Sequence, residues 1–195
     1  HICRKQIGSI SLNDAVLQQY RAFRADQMLA FQWIPNSSNY AYLEDSGRKL
    51  MTASTSNTKA QELISLTDLN SSLGTKLRSF FGIEFVDKDT FIIQDGIQIF
   101  QFDLITKTGK KIFTLEETAE NQTFNHAKSN LAFTIENNLF YYNSTGEKVA
   151  ITNESNKNIV SGQAFARSEF GIRNGIFWSP KSNFIAFYQK DESNV

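Results

Sequence analysis

A strand, turn, strand unit returns along this chain, and that recurrence limits its folding more than any other feature. The last copy is the plainest: Phe177-Trp178-Ser179-Pro180, a polar turn, then Phe184-Ile185-Ala186-Phe187-Tyr188. An earlier copy runs from Leu29 through Phe31-Gln32-Trp33-Ile34-Pro35, turns at Asn36 to Asn39, and resumes at Tyr40-Ala41-Tyr42-Leu43. Apolar and polar residues alternate on both sides of that turn, the period of a hairpin with one covered face. Thr123 to Phe133 forms a further copy, and the runs Ser79 to Val86 and Thr90 to Gln94 flank another. The units centre on Pro35, Asp87, Ala127 and Pro180, spaced by about 40 to 53 residues. That is the spacing of propeller blades made of four short strands. Blades bury their faces against one another. The aromatic of each first strand, Trp33 and Trp178 included, and the Ala of the second are therefore expected between blades.

The expected architecture is all-β: a partial β-propeller of about four blade units over residues 29–195, preceded by a short N-terminal helix. Ser11 can cap that helix, Asp14 sits in its first turn, and Ala15-Val16-Leu17 continue it to about Tyr20. Asp95-Gly96 between two apolar runs marks a hairpin. Leu63 to Leu69 reads as a strand and a short helical turn broken by Asn70-Ser71-Ser72. A propeller closes as a ring to protect its edges. A last unit that stops after its second or third strand thus leads one to expect an N-terminal fragment, residues 1–195 being the first part of a longer propeller domain. A start at His1 rather than Met fits a processed product whose secretion signal has been removed.

Composition excludes several classes. Lys plus Arg and Asp plus Glu both number 20 and no basic block occurs, so the footprint of a nucleic-acid binder is missing. With Cys3 the only cysteine and His1 and His126 the only histidines, neither a disulfide framework nor metal-ligand spacing is available. No apolar run approaches the roughly 20 residues of a membrane span. Gly-rich phosphate loops are absent, and no cofactor is expected. The 17 Phe and 6 Tyr favour strands. Glu116, Glu117 and Glu120 read as a solvated connection between blades, and His126 as a turn residue rather than a catalytic one.

One segment stands out against the repeat: Gly162-Gln163-Ala164, then Arg167-Ser168-Glu169-Phe170-Gly171-Ile172, ahead of Phe177. On its own, Glu169 has two readings. It can order its loop by pairing with Arg167 or Arg173, or it can hold a cationic ligand in a confined cavity.

These residues, with Ser11-Leu12-Asn13-Asp14-Ala15, Phe31-Gln32-Trp33-Ile34-Pro35, Asn138-Leu139-Phe140, Phe177-Trp178-Ser179-Pro180 and Asp191-Glu192-Ser193, resemble the propeller of the dipeptidyl peptidase IV family. That family belongs to the prolyl oligopeptidase clan, and the nearest branch is the bacterial prolyl tripeptidyl peptidase type. The resemblance covers nearly the whole chain. It implies an eight-bladed propeller over an α/β-hydrolase domain in a secreted, periplasmic or extracellular serine exopeptidase that releases short N-terminal peptides ending in proline. It implies that Glu169 binds the free α-amine of the peptide, with Arg167 holding the loop, and that the parent forms homodimers. Ser168 before a single Glu169, where the dipeptidyl branch has adjacent Glu residues, leans toward tripeptide release. Ala166 stands where the bacterial pattern has His, and Ile92 to Asp103 is short and lacks the Arg that dipeptidyl peptidases carry on an extended arm.

The clan's nucleophile sits in a Gly-x-Ser-x-Gly elbow, which this sequence does not contain. The chain is therefore expected to be non-catalytic by itself, with peptide N-termini and a C-terminal hydrolase domain as its partners. The competing reading is a non-enzymatic propeller that binds a protein or peptide across its face.

Overall fold

The computed structural model describes residues 28–57, 59–164 and 174–194. The helix expected at residues 11–20 lies outside them. In the first blade, β1 (Leu29–Trp33), β2 (Asn39–Glu44), β3 (Lys49–Ser54) and β4 (Gln61–Ser65) pair antiparallel in sequence order. The second repeats the meander with β5 (Glu84–Phe85), β6 (Thr90–Asp95), β7 (Gln98–Asp103) and β8 (Thr108–Thr114). The third uses β9 (Ala119–Phe124), β10 (Leu131–Ile135), β11 (Asn138–Tyr142) and β12 (Lys148–Ala150). A fourth pairing follows in two segments, in which β13 (Ile159–Ser161) joins β16 (Gln189–Asp191) and β14 (Ile176–Trp178) joins β15 (Ile185–Phe187). This is a partial propeller.

The core lies between successive sheets, not within any one of them. Leu43 and Leu50 of the first blade meet Phe80, Phe91 and Phe102 at the second. Ile99 and Phe113 meet Leu131 and Phe133 of the third, and Ala132 and Leu139 meet Ile176 of the fourth. A sheet covered on both faces needs apolar residues at consecutive positions. Phe91-Ile92-Ile93 and Leu131-Ala132-Phe133 are accordingly buried throughout. Thr134, next in line, is buried too, and its hydroxyl accepts a bond from Asn121 Nδ2 at 2.8 Å.

Three expectations change. Leu66–Leu73 forms a true α-helix, α1, which continues through Asn70-Ser71-Ser72. The Ser65 hydroxyl caps it by accepting from the Asp68 N–H at 3.1 Å, and Gly74 ends it in the left-handed region at φ 67°. Asn70 organises the exit: its Oδ1 accepts from the Leu77 N–H at 2.8 Å and its Nδ2 donates to the Leu77 carbonyl at 2.9 Å. Of the run Ser79 to Val86 only Glu84–Phe85 is strand. Phe80 instead plugs the core beneath the preceding blade and bonds its N–H to the Gly47 carbonyl at 2.7 Å. Trp33 is 56% exposed rather than buried, although it meets Phe31 and Tyr40 edge to face. Trp178 is half-buried, as its place in the first strand suggested.

Candidate functional site

Antiparallel pairing in the fourth blade exposes an interruption. β16 and β15 follow one another with only Tyr188 between them, and their partners are β13 and β14 in line. Ile159, Val160 and Ser161 oppose Asp191, Lys190 and Gln189; Ile176, Phe177 and Trp178 oppose Phe187, Ala186 and Ile185. Tyr188 completes the ladder with both backbone groups: its carbonyl accepts from the Gly162 N–H at 2.8 Å, and its N–H donates to the Gly175 carbonyl at 2.9 Å. β13 and β14 are thus two halves of one first strand. The chain leaves that strand after Gly162 and returns to it at Gly175.

Both glycines are required at this neck. Gly162 has φ +76°, and a Cβ there would stand 2.9 Å from Thr134 Cγ2. A Cβ on Gly175 would overlap the carbonyl group of Gln163 and stand 2.7 Å from the carbonyl carbon of Gly162. Only residues without a side chain let the outgoing and returning backbones touch.

Arg167 and Glu169, the residues read from the sequence as the substrate anchor, lie between these glycines and outside the described residues, as does Arg173. Gln163, at the start of the excursion, donates from Nε2 to the Glu136 carbonyl at 3.1 Å in the β10–β11 turn. Beyond β16, Asp191 accepts from the N–H of Ser193 at 2.9 Å. The Ser193 hydroxyl and this N–H together hold the Asp191 carboxyl below the usual carboxylate range.

The region Ile92 to Asp103 is the β6–β7 hairpin, closed by Gly96-Ile97 with Gly96 at φ +58° in the first central position. That is the place glycine takes in a type II′ turn. His126 is exposed in the β9–β10 turn. Glu116 is exposed as expected but pairs with Lys148 across to β12. Among the described residues, no three His, Cys, Asp or Glu side chains converge on one point.

In a four-strand meander, the turn after the first strand lies at the opposite end from the turn after the second. The four first-strand turns meet around a concave channel of about 1000 Å³, walled by residues that include Gln32, Glu84, Thr123 and Trp178. Side chains knit neighbouring blades together here. Gln32 donates to the Ile83 carbonyl and accepts from the Phe85 N–H, both at 3.2 Å. Lys128 pairs with Glu84, and Trp178 Nε1 donates to the Thr123 carbonyl at 2.9 Å. The neck at Gly162 and Gly175 sits toward the other end, beside the β10–β11 turn. Sequence reading missed these links because each joins residues 44 to 55 positions apart.

The family model of the dipeptidyl peptidase IV N-terminal region matches residues 96–195. Among solved structures, one similar chain is described as a dipeptidyl aminopeptidase IV from Bacteroides ovatus ATCC 8483, with a TM-score of 0.74 and 28% identity. That likeness covers 88% of this chain and 24% of the other. Porphyromonas gingivalis dipeptidyl peptidase 4 shares the fold at a TM-score of 0.61 and 18% identity, over 97% of this chain and 28% of its own. The chain spans about a quarter of the length of either structure.

Proposed function

Because this chain belongs to the dipeptidyl peptidase IV N-terminal region family, we propose that it is the propeller segment with which a secreted serine exopeptidase recognises the free N-terminus of its peptide substrate. The observation that carries the reading is the interrupted first strand of the fourth blade. A strand at the heart of a propeller is broken only at a cost in ladder hydrogen bonds, and here the break is closed by a glycine neck and the Tyr188 backbone. The residues between Gly162 and Gly175 include Arg167 and Glu169.

In this reading Glu169 is the amine anchor. A carboxylate in a site from which water is largely excluded binds an ammonium group by a charge-assisted hydrogen bond, about twice as strong as a neutral one. Arg167, two residues away, holds the loop and balances its charge. The anchor works as a ruler: only a peptide whose amine reaches it presents the scissile bond to the nucleophile, so positioning supplies the exopeptidase rule. The single Glu169 after Ser168 suits tripeptide release. The nucleophile belongs to an α/β-hydrolase domain of the parent protein, since this chain has no Gly-x-Ser-x-Gly elbow. The parent acts in the periplasm or outside the cell. Among the described residues no helix is long and apolar enough to cross a membrane.

The test is the peptidase activity of the parent protein on Ala-Ala-Pro and Gly-Pro chromogenic substrates, with free and acetylated amines, for wild type and Glu169→Gln. Acetylation and the substitution should each lower kcat/KM by about 10²-fold or more, the size of losing one buried charged contact. Their effects should not add. Activity indifferent to both changes overturns the anchor. A parent inactive on every peptide favours the binding-propeller reading.

A further inference from the structure

We propose that Asn137, in the turn between β10 and β11, is a positioning residue that fixes where the segment between Gly162 and Gly175 leaves the ring. Its side chain is buried, and Nδ2 faces three backbone carbonyls: Ile159 at 2.9 Å, Asn156 at 3.1 Å and Glu154 at 3.4 Å. An amide nitrogen carries two hydrogens, enough for the Ile159 and Asn156 carbonyls, while the Glu154 carbonyl takes its closer bond from Asn138 Nδ2 at 3.0 Å. The backbone of the same residue adds a further bond, its carbonyl accepting from the Ser161 N–H at 2.9 Å. One residue of the third blade therefore fixes both the chain that approaches β13 and the last residue of β13.

Its neighbours act in the same direction. Asn138 Oδ1 accepts from the Glu154 N–H at 2.7 Å, and the Glu136 carbonyl accepts from Gln163 on the far side of the neck. Among the described residues, β13 pairs within its sheet only with β16. The height at which the segment departs is thus set by the β10–β11 turn as much as by the blade that carries it. Asparagine suits the position and its charged isostere does not: an aspartate would turn a carboxylate toward three carbonyl oxygens.

The catalytic consequence rests on the reading of Glu169 given above, whereas the structural consequence does not. Both are measured in the full-length parent, with Asn137→Asp and Asn137→Ala beside wild type and Glu169→Gln. Hydrogen exchange at residues 159–162 and 188–191 should accelerate by about tenfold or more in both Asn137 variants, as expected when a local opening is made easier by one lost buried hydrogen-bond set. Exchange at 131–134, in the core of the third blade that carries Asn137, should stay unchanged. For free-amine peptides KM should rise by about tenfold with kcat within about twofold, the signature of a displaced binding group.

Uniform acceleration across both regions, or none in either, overturns the positioning role. If the neck loosens while Glu169→Gln leaves KM unchanged, Asn137 positions the segment and the amine anchor is wrong. If Glu169→Gln raises KM while both Asn137 variants match wild type in exchange and KM, the anchor stands and the proposal for Asn137 falls.

Discussion

Gly175 rests directly on the backbone of Gln163, so closely that even a methyl group on it would overlap the Gln163 carbonyl. The obstacle is main chain, which cannot rotate aside as a side-chain tip can. Gly175→Ala should therefore destabilise the chain by about 1–3 kcal/mol, the range for forced overpacking. It should also open the neck to limited proteolysis between residues 163 and 174. Gly82→Ala is the comparison: φ is +84° there but nothing lies within 4 Å of an added Cβ. That change should cost only the left-handed backbone penalty, about 1 kcal/mol, and leave proteolysis at the neck unaltered. Chemical denaturation and timed digestion read both.

Gly109 on β8 meets α1 in a different way. A Cβ there would overlap the Cδ2 of Leu73, the movable end of a flexible side chain, and stand 3.2 Å from the Gln101 carbonyl. Gly109→Ala should destabilise, and Leu73→Ala should relieve part of the loss. In a double-mutant cycle the two changes should couple by about 0.5–3 kcal/mol. Strict additivity would show that the helix does not press on this strand.

Phe133 is fully buried and lies at 5.0 Å and 28° from the ring of Tyr142. Phe133→Ala should cost about 3–5 kcal/mol in denaturant midpoint measurements. Ile105→Ala, at a turn tip where the side chain is 71% exposed, should fall within about 0.5 kcal/mol of wild type. Similar losses at the two sites would contradict a core placed between the blades.

Much of this was readable beforehand, and the failures share a cause. Asp95-Gly96 announced its hairpin because the turn depends on two adjacent residues, one of which must tolerate positive φ. The blade repeat was visible because each unit carries the same local alternation. Asn70 misled because an Asn-Ser-Ser run reads as a breaker, while its side chain in fact serves the loop after the helix. Asn137 gave no local sign at all: its carbonyl partners lie 17 to 22 positions downstream. The break between β13 and β14 was hidden for the same reason, since it exists only relative to a partner strand that follows later in the chain. The segment itself was noticed through its composition.

Asp103 ties the β7–β8 turn by accepting from the N–H groups of Thr106 at 2.9 Å and Ile105 at 2.8 Å. The Thr106 bond, with the Ile105 bond and the Thr106 hydroxyl behind it, holds its carboxyl below the usual carboxylate range. The folded-state pKa is thus lower than the unfolded one, which is about 3.9. Such a group contributes stability in full above the unfolded value and loses it as pH falls through the lowered folded value. Asp103→Asn should therefore be less stable than wild type at neutral pH, and the gap should narrow once pH drops below about 4. Thermal melts across pH 2 to 7 check the sign; a gap that widens in acid contradicts it.

The exopeptidase rule proposed above depends on where the peptide amine is held. The most direct measurement is a crystal structure of the catalytically silenced parent protein with a bound tripeptide ending in proline. The free α-amine should lie about 2.8 Å from a Glu169 carboxylate oxygen, the length of a charge-assisted bond. An amine bound to any other carboxylate, or left in solvent with the peptide otherwise in place, would contradict it.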